Sequence, residues 1–272
     1  MIILVHCSNA VEISQLDYMR LNIRKQRWEA ALSKYNKMDQ ILMIVSEYML
    51  HQYVERECCM ASERIEYCYN KHGKPQFLSV KNVKFNVSHA GDWVAIGLSD
   101  HDIGVDIENV APLNYDFIDR YFTNEEQQYI RSAPTKQAQL IRFYEIWTCK
   151  ESYVKMLGTG LSESLNSFTI NSTYGANSIA VSPSSFNQHT TITSKRFSVK
   201  PNVFLNGSMT SKHTVSNYTE NHFQAIKIRH ASWGNMQLAL CTSAVGDIPC
   251  HIYDLSPSKK LDIYEDVSFF KL

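Results

Sequence analysis

Between residues 84 and 108 the chain commits to three extended segments in close succession. Lys84-Phe85-Asn86-Val87-Ser88 alternates with the period of two expected of a half-buried strand. Trp93 to Leu98 and Ile103 to Glu108 read as two more, parted only by the polar turn Ser99–Asp102. Beyond them, Thr123-Asn124-Glu125-Glu126 has capping-box spacing and opens a helix near residue 124. A long helix is expected from about Thr135 to Leu157. Gly158 closes it, because glycine tolerates the left-handed backbone of a helix C′ position.

The flanks are less sharply drawn. Met1 to Val5 reads as a first strand, and residues 14–35 read as helical but poorly patterned. Between Arg20 and Lys37, six basic residues, Arg20, Arg24, Lys25, Arg27, Lys34 and Lys37, face one acid, Glu29; this is either a solvated helical face or a surface that binds phosphates or acids. Residues 39–55 place Ile41, Ile44, Val45, Tyr48 and Tyr53 at mixed i+3/i+4 spacing, a mostly buried helix, and His72-Gly73-Lys74-Pro75 is a turn. From 171 to 220, 23 of the residues are Ser, Thr or Asn and five are charged, which predicts an extended loop or a weakly ordered β-excursion. The sequons at Asn171, Asn206 and Asn217 fall in this stretch, where chance explains them. Phe223–Ile228 and Met236–Cys241 read as late strands, and 251–272 as a tail.

Composition excludes some classes of function. The 27 basic and 27 acidic residues cancel, so bulk charge does not hold the chain to nucleic acid or to an anionic membrane. The longest apolar stretch, Ile41 to Val45, is far short of the roughly 20 residues of a membrane span, and the N-terminus lacks the basic flank of a signal peptide. Seven cysteines, an odd number without a C-x-x-C pair, suit a reducing compartment. A cytoplasmic protein is expected, of one large domain or two of similar size.

Three features carry chemistry. Asp106 and Glu108, at i and i+2 on a strand, point to one side while Val105 and Ile107 point to the other. Paired carboxylates repel, and a hard divalent cation such as magnesium relieves the repulsion. The plain alternative is a solvated strand face. On the long helix, Trp147, Glu151 and Lys155 lie four apart on one face. Glu151 and Lys155 are either a helical ion pair or a third acidic ligand beside an ammonium that can meet phosphate. The sequence Ser88-His89-Ala90-Gly91 at a strand end offers a hydroxyl and an imidazole to a phosphate, although a lone histidine at a turn is usually structural.

The order of these blocks is more specific than any one of them. Phe85-Asn86-Val87-Ser88-His89-Ala90-Gly91, then Gly104-Val105-Asp106-Ile107-Glu108, then Trp147-x-x-Lys150-Glu151-Ser152-x-x-Lys155 with Gly158-x-Gly160-Leu161, resemble the 4′-phosphopantetheinyl transferases of the Sfp-type, carrier-protein-activating group. Gly73-Lys74-Pro75 and Phe143-Tyr144 fit the same pattern, and the likeness is close over about 73–168. The resemblance implies an α+β fold, a pseudo-dimer of two similar halves with the active site in the cleft between them. The halves would be residues 1–102, contacting coenzyme A, and 103–250, carrying metal and catalytic residues, with 171–220 as an insertion and 251–272 as the tail. It implies Mg²⁺ held by Asp106, Glu108 and Glu151, catalysis by Glu151 and Lys155, and coenzyme A phosphates met by Lys74, Ser88 and His89.

The implied activity is that of a holo-[acyl-carrier-protein] synthase type transferase. It would move 4′-phosphopantetheine from coenzyme A to a serine of an apo acyl or peptidyl carrier protein, as in antibiotic biosynthesis, and act as a monomer. The alternative is an inactive module that only binds coenzyme A or the carrier. One departure stands out. The family usually has an arginine for the 3′-phosphate where Asp39-Gln40-Ile41-Leu42-Met43-Ile44 offers none, leaving His89 and the basic residues between Arg20 and Lys37 to that task.

Overall fold

The computed structural model describes the backbone of residues 1–114, 116–160, 164–181, 190–201, 227–244, 248–257 and 259–270; side chains in 171–181, 190–201, 227 and 259–270 are not described. The chain opens with β1 (Ile2–Cys7), a 3₁₀ stretch over Ile13–Asn22, α1 (Lys25–Leu32) and α2 (Lys37–Cys58). A small hairpin of β2 (Tyr67–Tyr69) and β3 (Pro75–Phe77) follows, then β4 (Lys84–Ala90), β5 (Trp93–Ser99) and β6 (Ile103–Asn109). Next come α3 (Asp116–Tyr121), α4 (Asn124–Arg131) and α5 (Lys136–Leu157), and after them β7 (Phe168–Val181), β8 (Thr190–Pro201), β9 (Lys227–Trp233), β10 (Met236–Thr242), β11 (Ile248–Ser256) and β12 (Lys259–Phe270).

The strands form two five-stranded sheets, ordered β12-β11-β1-β5-β4 and β6-β10-β9-β8-β7. Each carries a 22-residue helix, α2 on the first and α5 on the second. Both helices start on a side-chain cap, Asn36 or Thr135, and both end in left-handed backbone, at Cys59 and Gly158. The expected α+β architecture of two halves is therefore present, with the change of sheet between β5 and β6. None of the described helices is long and apolar enough to cross a membrane.

Two expectations need correction. The 251–272 segment is no separate tail: β11 pairs in parallel with β1 from Ile2↔Cys250 to Cys7↔Leu255, and β12 extends that sheet. The cause is apolar, since Ile248, Cys250, Ile252 and Leu255 are buried. The Ser/Thr/Asn-rich stretch is likewise not simply an insertion, because β8 lies between β7 and β9 within the second sheet. Threonine's β-branching favours strands even where little apolar surface is offered. The parts of that expectation at 182–189 and 202–220, with Asn206 and Asn217, lie outside the described residues.

The halves meet through an apolar core that joins Ile2, Leu4 and Ala95 to Ile103, Val105, Ile107, Leu238 and Leu240. At its rim the edge strands β4 and β6 come together, bridged by side chains. Asn86 Oδ1 accepts from the Val105 N–H at 2.8 Å, and Ser88 Oγ accepts from the Ile107 N–H at 3.4 Å. Asn86 and Ser88 share a strand face, so one face of β4 serves the whole seam.

Candidate active site

Strand β6 turns Gly104, Asp106 and Glu108 towards α5, and Val105 and Ile107 towards the core between the halves. Gly104 makes the approach possible. A Cβ there would lie 1.9 Å from the Ser152 carbonyl oxygen and 2.3 Å from the Met156 nitrogen, so only glycine lets the helix lie so close. The Trp147–Glu151–Lys155 face of α5 then looks onto the two carboxylates.

Lys155 Nζ donates to Asp106 Oδ1 at 2.5 Å and to Ser88 Oγ at 2.9 Å, while Ser88 Oγ donates to the same carboxylate oxygen at 3.0 Å. One residue from the first half and two from the second thus share a single cluster. Lys155 forms its ion pair across to the strand, with Asp106, rather than back along the helix to Glu151. The Trp147 indole N–H donates to Glu108 Oε1 at 3.4 Å, so this ring steadies an acid and is not core alone.

The electrostatics are unfavourable for three bare carboxylates. Burial pushes the Asp106 carboxyl above the ordinary range, against the pull of Lys155 and Ser88. Glu108 is pushed up to about 7 by burial and then by the Asp106 charge. Glu151 is raised by burial and by Asp106, with Lys155 opposing. Asp106 Oδ2 is buried without a hydrogen-bond partner among the described residues, an expensive condition for a carboxylate oxygen.

Among the described residues, no three His, Cys, Asp or Glu side chains are gathered closely enough to hold a metal ion together. The donor set nevertheless fits magnesium. It consists of oxygen only, it includes an orphaned buried oxygen, and it carries repulsion that a divalent charge removes. Magnesium keeps several waters and is usually held by one or two carboxylates, so three converging side chains are not required.

Two of the expected coenzyme A contacts are placed apart from this cluster. Lys74 is engaged elsewhere: its ammonium donates to the carbonyls of Ile103 (3.0 Å), Lys155 (2.6 Å) and Met156 (3.1 Å), which uses its three protons. His89, next to Ser88, points to the opposite, exposed face of β4. Its pKa lies below the ordinary value, through partial loss of hydration, with Asp39 pulling up and Lys155 and Arg27 pushing down. Any phosphate contact that needs its proton therefore moves to a lower pH than a free imidazole would give.

The site of the absent arginine is explained by packing, since Leu42 is buried in the first core. Among the nearby basic residues, Arg24 is committed. It forks Glu47 at 2.9 and 2.7 Å and lies 3.9 Å from the Tyr67 ring centre. Arg27 lies 3.6 Å from Glu47 by Nε, a buried nitrogen without a hydrogen-bond partner among the described residues. Sequence reasoning missed Asn86, whose signal was its i, i+2 relation to Ser88.

Lys150 is buried as well, yet its task is structural. It pairs with Glu126 at 2.8 Å and donates to the carbonyls of Leu165 and Phe168 at 2.7 Å each. Glu126 also accepts from the Thr123 and Ile170 N–H groups, so the α4 cap, α5 and the start of β7 are tied at one point.

With this geometry in place, comparison with known proteins is informative. Residues 14–100 match the family model for the 4′-phosphopantetheinyl transferase N-terminal region, and residues 102–208 match that of the 4′-phosphopantetheinyl transferase superfamily. The two matches change over where the chain passes from β5 to β6. The 4′-phosphopantetheinyl transferase gsp of Aneurinibacillus migulanus is 28% identical over 61% of this chain and 69% of its own length. The 4′-phosphopantetheinyl transferase Sfp of Bacillus subtilis is 29% identical over 54% of this chain and 66% of its own. Human L-aminoadipate-semialdehyde dehydrogenase-phosphopantetheinyl transferase is 35% identical over 29% of this chain and 28% of its own length.

Proposed function

The chain belongs to the 4′-phosphopantetheinyl transferase superfamily, and from that premise we propose that it moves 4′-phosphopantetheine from coenzyme A to a serine hydroxyl of an apo acyl or peptidyl carrier protein, releasing adenosine 3′,5′-bisphosphate. The observation that carries this reading is the Ser88–Asp106–Lys155 cluster, which joins the two halves beside two further carboxylates.

Each residue has a part in the proposed reaction. Asp106, Glu108 and Glu151 would hold Mg²⁺, which when bound neutralises charge on the pyrophosphate of coenzyme A. Lys155, already balanced against a carboxylate, stabilises negative charge on the phosphoryl group during transfer. Glu151 takes the proton of the attacking serine, directly or through a water. Burial and the Asp106 charge raise its pKa, with Lys155 opposing, which makes it a stronger base than a free carboxylate. Ser88, whose one proton goes to Asp106, steadies both Asp106 and Lys155, while His89 and Arg27 supply donors to the phosphates of coenzyme A. Lys74 is left out of that set. The enzyme is read as a holo-[acyl-carrier-protein] synthase type, working as a cytoplasmic monomer.

The test is direct. The purified chain, coenzyme A, magnesium and an apo carrier are incubated, and the carrier is weighed intact. A gain of one phosphopantetheine that does not form when a chelator is present from the start supports the reading. Binding of coenzyme A or carrier without any adduct would instead support a non-catalytic binding module.

A further inference from the structure

We propose that Lys74 is a positioning residue for Lys155, acting from the first half on the helix of the second; the inference rests on the transferase reading above. The Lys74 ammonium touches both elements that build the site. The Ile103 carbonyl opens β6, three residues before Asp106, and the Lys155 and Met156 carbonyls belong to the last turn of α5. This half-buried cation therefore ties the strand that carries Asp106 and Glu108 to the end of the helix that carries Glu151 and Lys155, beside the close packing at Gly104 and the Asp106–Lys155 pair.

The same turn grips the helix end a second time. Asn70 Oδ1 accepts from the His72 and Lys74 N–H groups at 2.9 Å each, shaping the turn that aims Lys74, while Asn70 Nδ2 donates to the Gly158 carbonyl at 2.8 Å. Gly158 has φ +69°, and a Cβ there would lie 2.8 Å from Asn70 Nδ2 and 2.9 Å from Lys74 Cδ, so the turn and the helix end lie flush. The last carbonyls of a helix lack partners within it. Three of those at the end of α5 are satisfied from the other half, next to the residue whose side chain reaches Asp106.

The deciding variant is Lys74→Met, which keeps the apolar stem and removes the donors. Positioning predicts a kcat about tenfold lower with the KM for coenzyme A nearly unchanged. It also predicts that adding Lys74→Met to Lys155→Ala costs less than about twofold more, since the group being positioned is already gone. A raised KM with kcat intact would mean a co-substrate contact. Additivity with Lys155→Ala, or a lower thermal midpoint with full kcat per folded molecule, would mean a merely structural cap. Each of these outcomes overturns the proposal.

Amide hydrogen exchange over residues 150–158 is measured in parallel on the same protein without substrate. About tenfold faster exchange in Lys74→Met is expected, and unchanged exchange overturns the latch. If the wild-type chain modifies no carrier, the transferase reading fails while the exchange comparison still decides the latch. Asn70→Asp keeps the acceptor that shapes the turn but loses the donor to Gly158, and it should give the same pattern with smaller amplitude if Lys74→Met does not fold.

Discussion

Lys155 donates to an oxygen of Asp106 and to the hydroxyl of Ser88, so its charge is held in place before any substrate arrives. Preorganised charge of this kind acts on the transition state more than on binding. Lys155→Ala should therefore lower kcat by about 10²-fold while changing the KM for coenzyme A little, as read from steady-state transfer to the carrier. A KM effect alone would assign the residue to binding. Glu108 gives a second prediction, on pH. Its folded pKa, about 7 against an ordinary 4.5, is raised, so its contribution to stability is complete below about 4.5 and is lost as the pH rises through 7. In a chelator, the wild type should lose thermal midpoint between pH 5 and 8 relative to Glu108→Gln, and magnesium should remove the difference. Parallel curves for the two proteins in chelator would mean that Glu108 is not held in this strained state.

Among the elements, α5 shows how far sequence patterns reach. Its capped start, its glycine end and its Trp147–Glu151–Lys155 face follow from residue spacing, because 3.6 residues per turn decides which side chains share a face. The Asp106–Glu108 face of β6 is legible for the same reason. Spacing within an element says nothing about which element will pack against it. Lys74 lies 29 residues from Ile103 and 81 from Lys155, so its grip on those carbonyls could not be read from the local pattern, and a resemblance assigned it to phosphate. The strands β7 and β8 were obscured by composition, since Ser, Thr and Asn mark loops as readily as solvated strands. Lys150 offers a prediction at this scale. Lys150→Met leaves Glu126 charged and buried, which should cost about 3–5 kcal/mol of unfolding free energy in denaturant titration. Adding Glu126→Gln should restore part of that loss. A single variant as stable as the wild type would show that the pair is dispensable to the junction of α4, α5 and β7.

For the whole molecule, the first half is closed by the other end of the chain. Strand β1 lies between β5 and β11, and its Ile2 and Leu4 pack with Ile248, Cys250 and Ile252 in the core that also holds the second half. His6 adds a polar link from β1, its Nδ1 2.7 Å from Asp254 Oδ1. Ending the chain after residue 247 would strip one side of β1 of its backbone partners and remove the buried Ile248, Ile252 and Leu255. At about 1.5–3 kcal/mol for each large aliphatic side chain, those three alone account for roughly 5–9 kcal/mol. A domain is stable by only about 5–15 kcal/mol in total, so the loss consumes most or all of that margin. The damage should reach the site, because β1 and β5 support the core on which β6 rests, and β6 presents Asp106. The truncated chain should therefore fail to accumulate in soluble form, or should melt without a cooperative transition and transfer nothing to a carrier. A soluble chain of residues 1–247 with the wild-type thermal midpoint and full transfer would show that β11 merely decorates the sheet.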